Sequence, residues 1–252
     1  MRKKNKTLLI GGSGNLGSNI IKSNIFENLY YPSKNKLNIL DKNSIRKILK
    51  KHKFNLIINC AAVARMKECE KNPHKAYTVN VFGTINLVDE ITAYQKVLKK
   101  KIKLIHISTD GVYPSLKGNY SEKSLTKPYN IYGWTKLYSE LVVKQLKNFI
   151  LVRTRFFDKK HIRFASAATD IFTSMIEVQN LVKILKILSK KDFTGIINVG
   201  SKRKSDFENY RQFRKNIKPC KRKEIVNEIK FKIARDASMN LKKLRKVIRK
   251  ND

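Results

Sequence analysis

The chain has 252 residues, 41% of them hydrophobic, which suits one α/β domain with a small added lobe and argues against a mainly disordered state. Its formal net charge is +37, but 43 of its 56 basic residues are Lys, whereas nucleic-acid readers favour the bidentate Arg fork. The cations are spread along a chain also rich in Asn and Ile, so the charge reads as compositional bias. It argues against a nucleic-acid partner, while a positive field would still attract phosphate-bearing ligands. Short apolar runs alternate with amphipathic stretches in the rhythm of βαβ units. In chain order the pattern predicts strand 7–10, helix 15–23, strand 29–31, helix 43–52 and strand 56–59. It continues with helix 74–97, strand 104–108, helix 129–146, strand 150–154, helix 177–189 and strand 196–199.

This order predicts a Rossmann-type, doubly wound parallel sheet with a small, abbreviated C-terminal substrate lobe. Residues 1–155, completed by 171–200, form the dinucleotide-binding core. Residues 156–170 and 201–252 form the lobe, the latter stretch being more polar and containing Pro219. The apolar run after Met1-Arg2-Lys3-Lys4 is too short for a signal-peptide core, and no stretch approaches a membrane span, so a soluble cytoplasmic protein is expected. Three cysteines and four scattered histidines show no metal-ligand spacing, so no metal is expected.

The first strand runs into Gly11-Gly12-Ser13-Gly14-Asn15-Leu16-Gly17, with Gly11, Gly14 and Gly17 spaced G-x-x-G-x-x-G. Glycines there permit a tight turn and close backbone approach, and the following helix presents free N–H groups to a pyrophosphate. A loop of this kind at the first β–α junction points to a dinucleotide. Ser33 and Lys34 follow the second strand, where an acidic residue would hold a plain ribose 2′-hydroxyl. A cation and a hydroxyl suit a 2′-phosphate, which favours NADP, with NAD as the alternative. Ala61 and Ala62 follow the third strand and are small enough to lie against a cofactor.

Ser108-Thr109-Asp110 closes the fourth core strand, at the sheet edge where ligands bind in doubly wound folds. Tyr132 and Lys136 follow, four apart and so on one helix face. Tyr30/Lys34 and Tyr113/Lys117 share the spacing, but Pro32 and Pro114 fall inside those pairs and argue against a helix at either. Reducing a ketone requires a hydride on carbon and a proton on oxygen. A Lys ammonium near Tyr132 is expected to lower the phenol pKa, and the Thr109 hydroxyl can bond the developing alkoxide.

Together these segments resemble the extended short-chain dehydrogenase/reductases, and among them the dTDP-4-dehydrorhamnose reductase group. Carrying the likeness are the glycine loop, Asn59-Cys60-Ala61-Ala62, Ala76-Tyr77-Thr78-Val79-Asn80, Ser108-Thr109-Asp110-Gly111-Val112-Tyr113, and Tyr132-Gly133-Trp134-Thr135-Lys136 with Glu140. A weaker match is Ala234-Arg235-Asp236-Ala237-Ser238-Met239-Asn240. The resemblance implies Thr109, Tyr132 and Lys136 as catalytic residues. It implies Gly11, Gly14, Asn15, Leu16 and Gly17 at the pyrophosphate, Ala61, Ala62, Asn80 and Lys136 at the cofactor, with Asn80 also supporting the active-site helix and its proton path. Ser108, Asp110 and Arg155 are the substrate-side candidates. The implied reaction is NADPH-dependent reduction of the 4-keto group of a nucleotide-linked 6-deoxy-hexose, and the resemblance admits a homodimer. Gly111 stands where 4,6-dehydratases carry the second carboxylate of an acid/base pair, which favours a simple reductase. A sugar-nucleotide epimerase is the alternative enzyme, and a non-catalytic cofactor-binding regulatory subunit the alternative of another class.

Overall fold

A computed structural model describes residues 6–99, 101–162, 164–229 and 232–249. Its centre is a six-stranded sheet of β1 (Thr7–Ile10), β2 (Leu29–Tyr30), β3 (Leu56–Asn59), β4 (Lys103–Thr109), β5 (Phe149–Thr154) and, late in the chain, β10 (Gly195–Val199). Every pairing is parallel, in the order β2-β1-β3-β4-β5-β10. Continuous apolar runs such as Leu8-Leu9-Ile10 suit this arrangement, because helices bury both faces of each strand. The chain leaves β1 towards β2 on one side and returns to β3 on the other. Their carboxyl ends therefore diverge into the crevice where ligands bind in such sheets.

One face is covered by α1 (Asn15–Ser23) and α7 (Val178–Lys190), the other by α2 (Lys42–Lys51), α5 (Gly83–Leu98) and α6 (Ile131–Val143). Each face has its own core, one around Leu9, Ile20, Ile58 and Leu185, the other around Leu8, Ile45, Leu87 and Ile91. The predicted helix 74–97 is a composite: α4 (Pro73–Tyr77), a π-helical turn (Thr78–Phe82) and α5, preceded by an unpredicted α3 (Met66–Lys71). The predicted helix 129–146 begins two residues later, because the Asn130 side chain caps it by accepting from Gly133 N at 2.8 Å.

Beyond β5 the elements are short. The pairs are β6 (Phe156–Phe157) with β9 (Ile176–Glu177), β7 (Ser166–Ala168) with β12 (Lys218–Cys220), and β8 (Phe172–Thr173) with β11 (Lys204–Ser205). Helices α8 (Asp206–Arg211) and α9 (Arg222–Ile229) complete this region. The last helix, α10 (Lys242–Arg249), departs from the expected lobe. It packs on β10, with Leu244 buried and Val247 and Ile248 against the α1/α7 core. Among the described residues no helix is long and apolar enough to cross a membrane.

A buried ion pair ties these layers together. Arg153 of β5 holds Glu140 of α6 through Nη2–Oε2 at 2.6 Å and Nε–Oε1 at 3.0 Å, both side chains almost wholly buried. Removing Glu140 strands a buried guanidinium, so Glu140→Ala should lower unfolding free energy by about 3–5 kcal/mol. Asp89→Asn, which breaks the half-exposed Lys42–Asp89 pair, should change it by less than about 1 kcal/mol. Urea unfolding of the two variants beside the parent checks the contrast.

Candidate active site

The glycine loop separates into two roles. Gly11 has φ +83°, and a Cβ there would lie 2.6 Å from Ala61 N. A Cβ on Gly17 would fall on the Gly11 carbonyl. Both glycines let the backbone itself close, and Gly11 brings the loop after β1 against the loop after β3. Gly14 differs, for its Cβ would meet only Gly11 O, at 3.4 Å. It begins α1 in extended conformation, and no side chain caps the helix. The backbone amides there are thus left for an anion, which fits a pyrophosphate. Asn15 is exposed at this tip, whereas the Leu16 side chain is buried in the core, so only its backbone can reach a ligand.

Ala61 and Ala62 stand partly exposed across the crevice, and Asn59 Oδ1 fixes the turn by accepting from Ala61 N at 3.1 Å. Ser33 and Lys34 are exposed in the turn after β2. Asn80 is buried, with its groups engaged by protein: Oδ1 accepts from Val63 N at 2.8 Å, and Nδ2 donates to Val63 O and Thr135 Oγ1. It therefore braces the Ala61–Val63 loop against α6 and presents no group to a cofactor. The π-helical turn carries it there, a local widening common at functional sites.

The fold brings Thr109, Tyr132 and Lys136 together at the carboxyl end of β4. Thr109 Oγ1 accepts from Gly111 N at 3.1 Å, donates to Asp110 Oδ1 at 3.2 Å and hydrogen-bonds the Tyr132 hydroxyl. Close packing positions Tyr132, since a Cβ on its neighbour Gly133 would strike the Gly111 carbonyl. Burial pushes the Tyr132 phenol well above its usual value, and Cys69 and Asp110 push it further. Arg155 and the Thr109 hydrogen bond only partly offset this. The shift is thus opposite to the lowering expected from Lys136, and Tyr132 is a protonated phenol at neutral pH.

Lys136 is buried with Nζ 3.0 Å from His106 Nε2. His106 is a site residue that the sequence left unassigned, and its own burial holds it neutral. Asn59 Oδ1 is spent on Ala61 N, so the Asn59 amide nitrogen donates to His106 Nδ1 at 3.2 Å. The ring proton therefore sits on Nε2, where Ser139 Oγ accepts it at 3.1 Å. His106 has no lone pair left for Lys136. Burial pulls the Lys136 pKa down to about 8, and Glu140 and Cys60 pull it back up.

Two substrate-side expectations change. Ser108 is buried and donates to Glu140 Oε1 at 2.6 Å, so it is part of the internal ion-pair network and faces no substrate. Arg155 is not a free cation: its Nε lies 2.8 Å from Asp110 Oδ2, and its Nη2 donates to Tyr129 Oη at 3.4 Å. Burial alone would raise the Asp110 pKa strongly, and Arg155 offsets part of that rise. Among the described residues no group of three or more His, Cys, Asp or Glu is arranged to hold a metal ion.

A family model described as the RmlD substrate binding domain matches residues 5–191. The chain belongs to this family. It is 31% identical over 159 residues to dTDP-4-keto-6-deoxy-D-glucose reductase of Streptomyces niveus, covering 61% of this chain and 53% of that protein. It is 30% identical over 147 residues to methionine adenosyltransferase 2 subunit beta of Bos taurus, covering 55% and 42%. The chain thus spans about half the length of the curated relatives it matches. Among solved structures, dTDP-4-dehydrorhamnose reductase of Bacillus anthracis in complex with NADP superposes with TM-score 0.84 at 22% identity, covering 97% of this chain and 92% of that one. A hypothetical dTDP-4-dehydrorhamnose reductase from Sulfolobus tokodaii gives 0.78 at 25%, covering 98% and 96%. The doubly wound α/β fold is therefore that of the reductase structures.

Gly133 offers a test of the packing that sets Tyr132. Gly133→Ala forces α6 away from the Asp110–Val112 turn, backbone against backbone, and should cost about 1–3 kcal/mol of stability. Chemical denaturation with circular dichroism measures it.

Proposed function

We propose that this chain is an NADPH-dependent reductase of the 4-keto group of a nucleotide-linked 6-deoxy-hexose. The observation that carries the proposal is the meeting of Thr109, Tyr132 and Lys136 at the same carboxyl edge of the sheet as the open Gly14 loop. The names of the relatives support the same substrate class. The loop of Gly11, Gly14, Asn15, Leu16 and Gly17 would hold the pyrophosphate, Gly14 N being spent on Gly11 O so that the amides of the first helical turn face the anion, with Ser33 and Lys34 at the 2′-phosphate and Ala61 and Ala62 along the cofactor. When bound, NADPH supplies the hydride. The Tyr132 phenol, protonated at neutral pH, would give its proton to the carbonyl oxygen of the substrate being reduced. Thr109 Oγ1 would turn its one proton from Asp110 Oδ1 to that oxygen and so orient it. Lys136, unsatisfied by His106, has ammonium donors free for the ribose hydroxyls, and its charge stabilises the phenolate left after transfer.

The second reading, a non-catalytic cofactor-binding subunit, is favoured by the Arg155–Asp110 pair beside Tyr132 and by the likeness to methionine adenosyltransferase 2 subunit beta. It predicts cofactor binding without turnover.

Purified protein should oxidise NADPH with dTDP-4-keto-6-deoxy sugars, and Tyr132→Phe should lower kcat about 10²–10⁴-fold while leaving NADPH affinity intact. Equal rates in the two proteins, or no turnover with any 4-keto sugar nucleotide, would sink the proposal. Gly14→Ala should do the reverse, melting within about 1 kcal/mol of the parent but binding NADPH at least about tenfold more weakly. Lys136 carries its proton below about pH 8 and loses it above. In the free enzyme, kcat/KM for NADPH should therefore fall on the alkaline side of about pH 8, as read from initial rates across pH 6–10.

A further inference from the structure

Beyond the Thr109–Tyr132–Lys136 group lies a second cluster that the reaction leaves unexplained. Arg155 pairs with Asp110 on one side, and its charge also acts on Asp206 at the start of α8. Tyr210, one turn along α8, acts electrostatically on Asp206, and the Tyr129 hydroxyl, from the loop before α6, accepts from Arg155 Nη2. Thr173 of β8 hydrogen-bonds the Asp206 carboxylate. That leaves Asp206 Oδ1 buried with no hydrogen-bond partner, whereas Asp110 Oδ2 is met by Arg155 Nε at 2.8 Å.

A buried carboxylate oxygen with unmet lone pairs calls for a hydrogen-bond donor. The charges decide which kind. One guanidinium faces two carboxylates, so the cluster repels an anionic sugar and suits a neutral one. Hexose hydroxyls are such donors, and the same Arg155 and Asp110 act electrostatically on both Asp206 and Tyr132, which links the cluster to the reacting end. We infer that Asp206 accepts a hydrogen bond from a hydroxyl of a neutral hexose and so determines sugar specificity. The inference rests on the reduction proposed above and adds a residue from α8, outside the segments that carry the family motifs. Arg155 acts as a positioning residue, holding Asp110 and lying against Asp206 without being free to bind substrate itself.

The test compares dTDP with dTDP-rhamnose as calorimetric ligands of the NADP-saturated protein. The parent should bind dTDP-rhamnose more tightly, and Asp206→Ala should lose about tenfold to hundredfold of that preference while binding dTDP unchanged. Asp206→Asn, which keeps the volume, guards against misfolding, and both variants are checked by melting temperature. Burial raises the Asp206 pKa to about 6 against the pull of Arg155, with Asp110 adding to the rise. The carboxylate exists above that pH, so the parent's preference for dTDP-rhamnose should fade on acidification through about pH 6, whereas a purely structural Asp206 would leave it flat. A parent with no preference for the sugar, or folded variants that retain it, overturns the inference. NADPH oxidation by the parent decides the reductase proposal separately.

Discussion

The Arg153–Glu140 pair is the constraint on which the active-site end of the molecule depends. Glu140 lies one turn beyond Lys136 on α6, accepts the Ser108 hydroxyl at 2.6 Å, and is gripped by Arg153 from β5. Arg153 also donates to Tyr113 Oη at 2.9 Å, and Tyr113 donates to Asn198 of β10 at 2.8 Å. One buried network thus pins the helix bearing Tyr132 and Lys136 to three adjacent strands. Burying two charges is costly, and a pair of well-packed apolar residues could serve stability as well. Its directional bonds do what apolar packing cannot: they fix the rotation of α6 about its axis relative to Thr109.

The balance of charge follows the same logic. The chain carries a large excess of cations, but within the site they are matched: Arg153 by Glu140, and Arg155 by Asp110. Lys136 is the exception, for His106 has only an N–H to show it and Glu140 is already bound to Arg153. Burial holds its ammonium less firmly than an exposed one, although Glu140 still favours the charge, and its donors remain available. An evenly cationic surface and a locally neutral interior are therefore compatible, and the net charge says little about what the site binds.

Much of the core was legible because its elements obey short-range rules. Strands 7–10 and 56–59 and helix 15–23 appear at their predicted bounds, since apolar runs and the glycine loop mark both their faces and their ends. What escaped depends on distance in sequence. The two- and three-residue strands past β5 exist only through partners up to about 50 positions away, as when Ser166 pairs with Lys218, and no local pattern encodes that. Helix α10 looked like part of a polar tail, yet Leu244, Val247 and Ile248 form a narrow apolar stripe that returns to the sheet. In the site, types and order were readable from Thr109 to Lys136, but not the partners that redirect them. Ser108 turned inward to Glu140, Asn80 became a brace, and His106, a lone His in an apolar strand, proved to be Lys136's neighbour.

The phenol shows why partners matter more than spacing. A Tyr four residues before a Lys suggests a lowered pKa, because on a helix face the ammonium is near. Here the cation is drawn to the strand side against His106, while the phenol meets Cys69, Thr109 and the Asp110 carboxylate in a dry setting. Desolvation and a negative neighbour both favour the neutral phenol. The raised pKa keeps the group protonated at rest and makes it a weaker acid, so its proton leaves only as negative charge builds on the substrate oxygen. A phenolate stable at rest would suit the opposite task, taking a proton from an alcohol. The partners of Tyr132, more than its spacing from Lys136, therefore set the direction of its shift.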